Sequence, residues 1–154
     1  MRYPVEQLGE EEDDGTMPQN VADLTGQVVG HRIVSAERKT LPAKAYSWSD
    51  DVEPVEQFVL TLDDGTQVGL ADTSDCCAGT ELDAFLLHPE LVDHIITGVG
   101  TTDGYTRWHI YADMGDVLEL TVNWGCGNPF YYGYGFDIYV MPLGGTVAEQ
   151  VGDE

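Results

Sequence analysis

Two adjacent cysteines, Cys76 and Cys77, precede a segment with helical spacing and are the first residues that could carry chemistry. A nucleophilic cysteine ahead of a helix, with a histidine on a later strand, is an arrangement suited to covalent catalysis. His109 lies in a predicted strand, and the next predicted strand places Asn123 diagonally across from it. One hypothesis is therefore a cysteine hydrolase that uses Cys77, or Cys76, with His109 and Asn123.

Two short motifs resemble a known hydrolase family. "SDCCAG" resembles the Asp-Cys-Ser-Gly motif of cell-wall endopeptidases of the NlpC type, and "WHIYADMGD" resembles their histidine-containing strand. The resemblance implies Cys77 as the nucleophile and His109 as its base. However, a reactive cysteine needs electropositive surroundings that stabilise the thiolate, and four carboxylates flank this pair. They are Asp72, Asp75, Glu81 and Asp83.

The cysteines offer a second hypothesis, a metal site. Thiolate and imidazole groups suit zinc, so Cys76, Cys77 and Cys126 with His88 or His94 form a candidate ligand set. Adjacent residues of an extended segment point to opposite sides, which disfavours one ion taking both. A third reading is burial as small apolar groups, the ordinary fate of cysteine in a reducing compartment. We favour burial and predict no cofactor.

The segment 123–136 alternates aromatic residues with glycines. Tyrosine and tryptophan are typical anchors of protein interfaces, and stacked rings also form platforms for bases or sugars. A structural alternative is a strand whose rings cover neighbouring glycines. The candidate partner-binding residues are Trp124, Phe130, Tyr131, Tyr132 and Tyr134.

The elements that position these residues are mostly strands. Alternating apolar residues predict strands over 27–37, 57–62, 66–71, 95–100, 106–113, 117–124 and 132–141. Leu82, Phe85 and Leu86 have i, i+3, i+4 spacing and predict a short helix. Pairing Asp113 with Val117 would collect the apolar residues of two strands on one face. The expected fold is α+β: a mostly antiparallel curved sheet of about seven strands, joined as a hairpin meander, with one or two short helices packed on it.

The charge of the chain limits its partners. Six basic residues stand against 28 acidic ones, for a net charge of −22. Binding to nucleic-acid phosphates or anionic membranes depends on lysine and arginine, so direct contact with either is disfavoured. A solubilising surface, a surface for a basic or DNA-binding host protein, and an acidic mimic of nucleic acid are all compatible with this charge.

The sequence divides into three parts. Residues 1–24 predict an acidic, flexible leader, 25–142 a single α+β domain, and 143–154 an acidic tail. The N-terminus lacks the basic start and apolar core of a signal peptide, and no apolar run is long enough to span a membrane. We expect a cytoplasmic protein.

Several motifs together resemble one family. They are the Asp63-Asp64-Gly65 turn, Asp75-Cys76-Cys77, "ITGV" at 96–99, and the final Trp-Gly and Tyr-Gly-Tyr-Gly strand. This combination resembles small proteins of actinobacterial phages and their hosts that are classed as a domain of unknown function, over roughly residues 24–141. The resemblance implies a phage accessory protein acting in the host cytoplasm. Our leading expectation is thus a non-enzymatic protein that binds a host macromolecule through acidic and aromatic surfaces. The cysteine hydrolase and the nucleic-acid mimic are the alternatives.

Overall fold

The computed structural model describes residues 3–6, 16–44, 51–74, 78–126 and 135–151, with the backbone alone at Cys126. Within these ranges there are one α-helix, one 3₁₀ turn at Pro89–Leu91 and ten strands. The elements are α1 (Thr16–Val28), β1 (Ile33–Lys44), β2 (Val52–Leu62), β3 (Gln67–Ala71), β4 (Thr73–Ser74), β5 (Ala78–Leu87), β6 (Gly98–Thr102), β7 (Arg107–Ala112), β8 (Gly115–Cys126), β9 (Asp137–Met141) and β10 (Ala148–Val151). The described helix is not long and apolar enough to cross a membrane.

Five strands close into a barrel in the order β1-β10-β9-β3-β2. The β2–β3 hairpin turns at the predicted Asp64-Gly65 position, where Gly65 has a φ of 91° that suits glycine. Closure comes from a parallel contact in which Ala43 and Lys44 pair with Ala148 and Glu149. The barrel therefore has no free edge between β1 and β9, because β10 fills that position.

The other strands form a second antiparallel sheet in the order β4-β5-β8-β7-β6. Its inner face packs on the barrel, and one apolar core contains Leu60 and Val68 from the barrel with Trp108 and Leu120 from the second sheet. Helix α1 lies beside β6 and contributes Leu24 to the same core. The outer face of this sheet carries Arg107, His109 and Glu119.

The expectation of a β-rich α+β fold is confirmed, but the single curved sheet of about seven strands is wrong. The chain instead builds a closed barrel and a separate five-stranded sheet. The turn signals in the sequence lie between consecutive strands and indicate only that those consecutive strands pair. The parallel β1–β10 contact joins residues about a hundred positions apart, and no local turn signal marks such a pairing.

The predicted helix around Leu82 is also wrong, because residues 78–87 form strand β5. A β-bulge between Leu82 and Ala84 inserts one extra residue into the strand. After the bulge, Phe85 lies opposite Leu120 on the same inner face as Leu82. The inserted residue thus changes the period-two spacing into an i, i+3 spacing that imitates a helix.

The α-helix lies where the sequence predicted a flexible leader. Residues 16–24 of that segment are helical, and Met17, Asn20, Leu24 and Val28 form its buried stripe. Similarly, β10 at Ala148–Val151 lies in the predicted acidic tail and belongs to the barrel. Ordered structure therefore extends beyond 25–142 on both sides.

Candidate functional site

A cluster of polar side chains lies on the outer face of the second sheet. Successive strand residues point to opposite faces, so Arg107 and His109 on β7 share this outer face while Trp108 and Ile110 point into the core. His109 lies directly opposite Glu119 on β8. We call this group the polar cluster; its members are His88, Thr102, Arg107, His109, Asp116 and Glu119.

His109 is held at both ring nitrogens. Its Nδ1 lies 2.9 Å from Oδ2 of Asp116, and its Nε2 lies 2.8 Å from Oγ1 of Thr102. An ionised carboxylate only accepts hydrogen bonds, so Nδ1 carries a proton and donates it to Asp116. In the neutral ring Nε2 then accepts from the Thr102 hydroxyl. The order hydroxyl, imidazole, carboxylate is that of the serine hydrolase triads, and His109 itself is 8% exposed.

Glu119 is the second carboxylate of the cluster. Its Oε2 lies 2.6 Å from Nε2 of His88, and its Oε1 accepts from Arg107 at 3.1 Å. The hydrogen bond from His88, aided by Arg107, lowers the pKa of Glu119 although partial burial raises it. Glu119 is therefore ionised near neutral pH. One ring nitrogen of His109 and one oxygen each of Asp116 and Glu119 lie within 4.8 Å of one another.

A short N-terminal segment, residues 3–6, covers the polar cluster. The ring of Tyr3 stacks on His109 with a centroid distance of 4.2 Å, and its hydroxyl donates to Oδ1 of Asp116 at 2.9 Å. Burial, followed by the hydrogen bond to Asp116, raises the pKa of Tyr3 to about 12, so the phenol stays protonated as a donor. Gly100 makes the room for this ring, because a Cβ there would lie 2.4 Å from Cβ of Tyr3.

The other end of this N-terminal segment is fixed by an amide nest. Asp103, Gly104 and Tyr105 have φ values of 59°, 67° and 63°, three consecutive left-handed residues in one turn. Such turns point successive N–H groups at an anion. Here the N–H groups of Gly104 and Tyr105 donate to the Glu6 carboxylate at 2.7 and 2.9 Å, and the Tyr105 hydroxyl donates to the Glu6 carbonyl oxygen at 3.1 Å.

Comparison with known protein families identifies the family of this chain. The profile of DUF7448, a domain of unknown function, matches residues 26–138. The chain belongs to this family. A comparison with curated proteins found no match, and neither did one with solved structures. The matched range of the DUF7448 domain contains every member of the polar cluster, whereas residues 3–6 lie before it.

The structure of this DUF7448 domain does not bring the predicted hydrolase residues His109 and Asn123 together. His109 pairs with Glu119, and Asn123 lies four residues further along β8, roughly 13 Å at the rise of a strand. The Asn123 amide instead donates to Oε1 of Glu81 on β5 at 3.0 Å. Cys76 and Cys77 lie outside the described residues. Among the described side chains, a hydroxyl and a carboxylate hydrogen bond the ring nitrogens of His109.

Of the predicted metal ligands, the structure describes His88, His94 and the backbone of Cys126, which lie at different places in the second sheet and its connections. The backbone of Cys126 pairs with Ala78 at one end of β5 and β8. His88 contacts Glu119 within the polar cluster, and His94 contacts Asp113 at 3.1 Å. No described contact joins either histidine to the strand end where Cys126 lies. The thiols of the ligand set are not among the described side chains.

Of the candidate partner-binding residues, only Trp124 is described. It is half-buried, packs against the core, and donates its indole N–H to the carbonyl oxygen of Gly104 at 2.8 Å. The remaining four residues, Phe130, Tyr131, Tyr132 and Tyr134, lie outside the described residues. Trp124 thus supports the turn that holds Glu6.

Sequence reasoning identified His109 and missed its partners. Thr102, Asp116 and Glu119 are ordinary surface residue types, and nothing in their local sequence marks them. The signal that could have found them is alternation: with the correct pairing, outward positions of neighbouring strands fall beside His109. Tyr3 gave no signal, because it contacts residues about a hundred positions away.

Proposed function

We propose that this DUF7448 protein is a non-enzymatic, phage-type accessory protein that binds a basic host macromolecule in the cytoplasm. The observation that carries the proposal is the charge of the second sheet and its connections. Between Ala78 and Cys126 there are eight acidic residues and a single arginine, and that residue, Arg107, already donates to Glu119. A face of one sign steers oppositely charged partners toward it.

Strand β5 gives this surface a chemical character beyond charge. Glu81 and Asp83 are exposed. Next to them Leu86 is 55% exposed, and Phe85, which contacts Phe58 from the inner face, is still 37% exposed. Carboxylates beside exposed apolar side chains suit a protein segment that combines lysine or arginine with apolar residues. We call Glu81, Asp83, Phe85 and Leu86 the β5 surface. A partner of this kind would bury the apolar pair and neutralise the carboxylates.

The experiment is a titration of the full chain with a lysine- and leucine-rich helical peptide, followed by fluorescence anisotropy at two salt concentrations. Changing Glu81→Gln with Asp83→Asn should weaken binding roughly twofold to thirtyfold, since each exposed ion pair contributes about 0.2–1 kcal/mol. The matched control removes two barrel carboxylates, Glu53→Gln with Glu149→Gln, and should leave the affinity almost unchanged. Equal losses in the two double variants would refute the β5 surface as the binding face. Displacement of a DNA-binding partner by duplex DNA would instead support the nucleic-acid mimic.

A cysteine hydrolase is the second candidate, and the imidazole of His109 favours it. A carboxylate at Nδ1 orients this ring as in a general base. In the described residues the Nε2 side is occupied by the Thr102 hydroxyl, so catalysis with Cys77 would require that this hydrogen bond be exchanged for one to a thiol. Thiol labelling as a function of pH tests this candidate. A thiolate that forms only near pH 8.5, with slow labelling, would exclude it.

A further inference from the structure

We propose that His109, Asp116 and Glu119 bind a divalent transition-metal ion of the zinc class. Their three donor atoms lie within 4.8 Å of one another. Ligands at zinc distances of about 2.0–2.2 Å lie up to about 4 Å apart, so small side-chain rotations would complete the set. An imidazole with two carboxylates is a donor set that suits such ions, and the three ligands leave a position for water.

Each proposed ligand also hydrogen bonds a residue outside the ligand set. The Nε2 of His109 contacts Thr102 at 2.8 Å, while Oδ1 of Asp116 accepts from Tyr3 at 2.9 Å. Glu119 is held by His88 and Arg107. Metal sites depend on such outer contacts to orient their ligands, and loss of one typically costs 10- to 100-fold in affinity.

Metal binding at Nδ1 requires a change of tautomer. The proton that Nδ1 donates to Asp116 must leave that nitrogen, and Nε2 must then carry a proton to keep the ring neutral. The Thr102 hydroxyl can follow this change because a hydroxyl both donates and accepts. It donates to Nε2 in the first tautomer and accepts from Nε2–H in the second. The imidazole of His109 therefore carries its proton on Nε2 in place of Nδ1, and metal binding releases no proton from the ring.

The charges around the site balance in favour of a cation. Two carboxylates and a neutral imidazole neutralise a divalent ion. Among the described residues, Arg107 is the arginine that contacts the cluster and opposes binding, and it lies 3.1 Å from Glu119. His88 lies 2.6 Å from the other carboxylate oxygen, Oε2, and orients Glu119 from outside the ligand set.

A second set of donors provides an internal control. His31, Asp63 and Asp64 also bring a ring nitrogen and two carboxylates together. This set is more exposed, with side chains of His31 and Asp63 that are 33% and 32% exposed. Hydration and side-chain freedom oppose binding there. Comparing metal binding at the two sets therefore distinguishes a specific site at His109 from the general attraction of cations to an acidic protein.

The test is a Zn²⁺ titration of the full-length, ¹⁵N-labelled protein, read through the histidine ring nitrogens. We expect His109 alone to change from the Nδ1–H to the Nε2–H tautomer at one equivalent of Zn²⁺. Asp116→Asn should lower the Zn²⁺ affinity at least tenfold. Thr102→Val removes the hydrogen bond to Nε2 of His109 and should lower the Zn²⁺ affinity by about 10- to 100-fold, while His31→Gln should leave the affinity unchanged. Circular dichroism of each variant shows whether it is folded, and Glu119→Gln replaces Asp116→Asn if the latter unfolds. An unchanged His109 ring at saturating Zn²⁺, or a response abolished by His31→Gln, would overturn the proposal.

Discussion

Asn20 fixes helix α1 to Phe136, the residue directly before strand β9, and its removal should destabilise the protein strongly. Its side chain is 8% exposed, donates to the Phe136 carbonyl oxygen at 2.8 Å and accepts from the Phe136 N–H at 3.0 Å. Asn20→Ala leaves both backbone groups buried without partners, at about 1–3 kcal/mol each. Alanine returns roughly 0.5 kcal/mol of helix propensity. The net loss is about 1.5–5.5 kcal/mol, or roughly 5–16 °C in Tm for a chain of this length.

Urea unfolding followed by circular dichroism measures this loss, and the neighbouring residue gives the control. Gln19 is exposed and donates to Oδ1 of Asp23 at 2.9 Å within the same helix. Gln19→Ala should cost only about 0.2–0.5 kcal/mol, the usual contribution of such a pair. If Asn20→Ala falls within about 0.5 kcal/mol of Gln19→Ala, the Phe136 groups are satisfied in another way and the reasoning is wrong.

Two further perturbations address the N-terminal segment and the pH response. Glu6→Gln removes the charge from a carboxylate that accepts from Gly104 and Tyr105, so we expect a loss of about 1–2 kcal/mol and faster amide hydrogen exchange at those two residues; unchanged exchange would contradict the role of the nest. Hydrogen bonding from His31 lowers the pKa of Asp63, so its stabilising effect is present above the unfolded pKa of about 3.9 and is lost as the pH falls through the folded value. The difference in Tm between the native chain and Asp63→Asn should therefore shrink below about pH 4, and a difference that persists at lower pH would argue against this linkage.

Local patterns predicted the strands well where pairing is local. The Asp64-Gly65 turn and the alternation around Leu60 and Val68 indicated the β2–β3 hairpin, and these residues pair as expected. The pattern failed where a single residue interrupts it. The bulge at Asp83 gave Leu82 and Phe85 a helical spacing, although both lie on the inner face of one strand, where Phe85 stays partly exposed.

The helix was missed for a different reason. Residues 10–14 form an unbroken acidic run, and its charge dominated the interpretation of the whole N-terminal segment. The buried stripe of Met17, Leu24 and Val28 follows helical spacing and was present in the sequence. What the sequence does not reveal is the surface beside β6 on which this stripe packs. Helix formation here depends on tertiary burial more than on intrinsic propensity.

The register of β7 and β8 explains why the core could be predicted and the polar cluster could not. The sequence favoured Ile110 opposite Leu120, whereas Ile110 lies opposite Leu118, a displacement of two residues. Because side chains alternate with a period of two, this displacement leaves every inward residue inward, and hydrophobic patterning cannot detect it. It does change the outward partners. His109 moves from Thr121 to Glu119, and the bulge that follows Ile110 brings Asp116 within 2.9 Å of its ring. The partners of His109 on the outer face thus depend on the β7–β8 register, while the core packs the same inward residues in either register. A site of this kind can therefore be identified only from the structure.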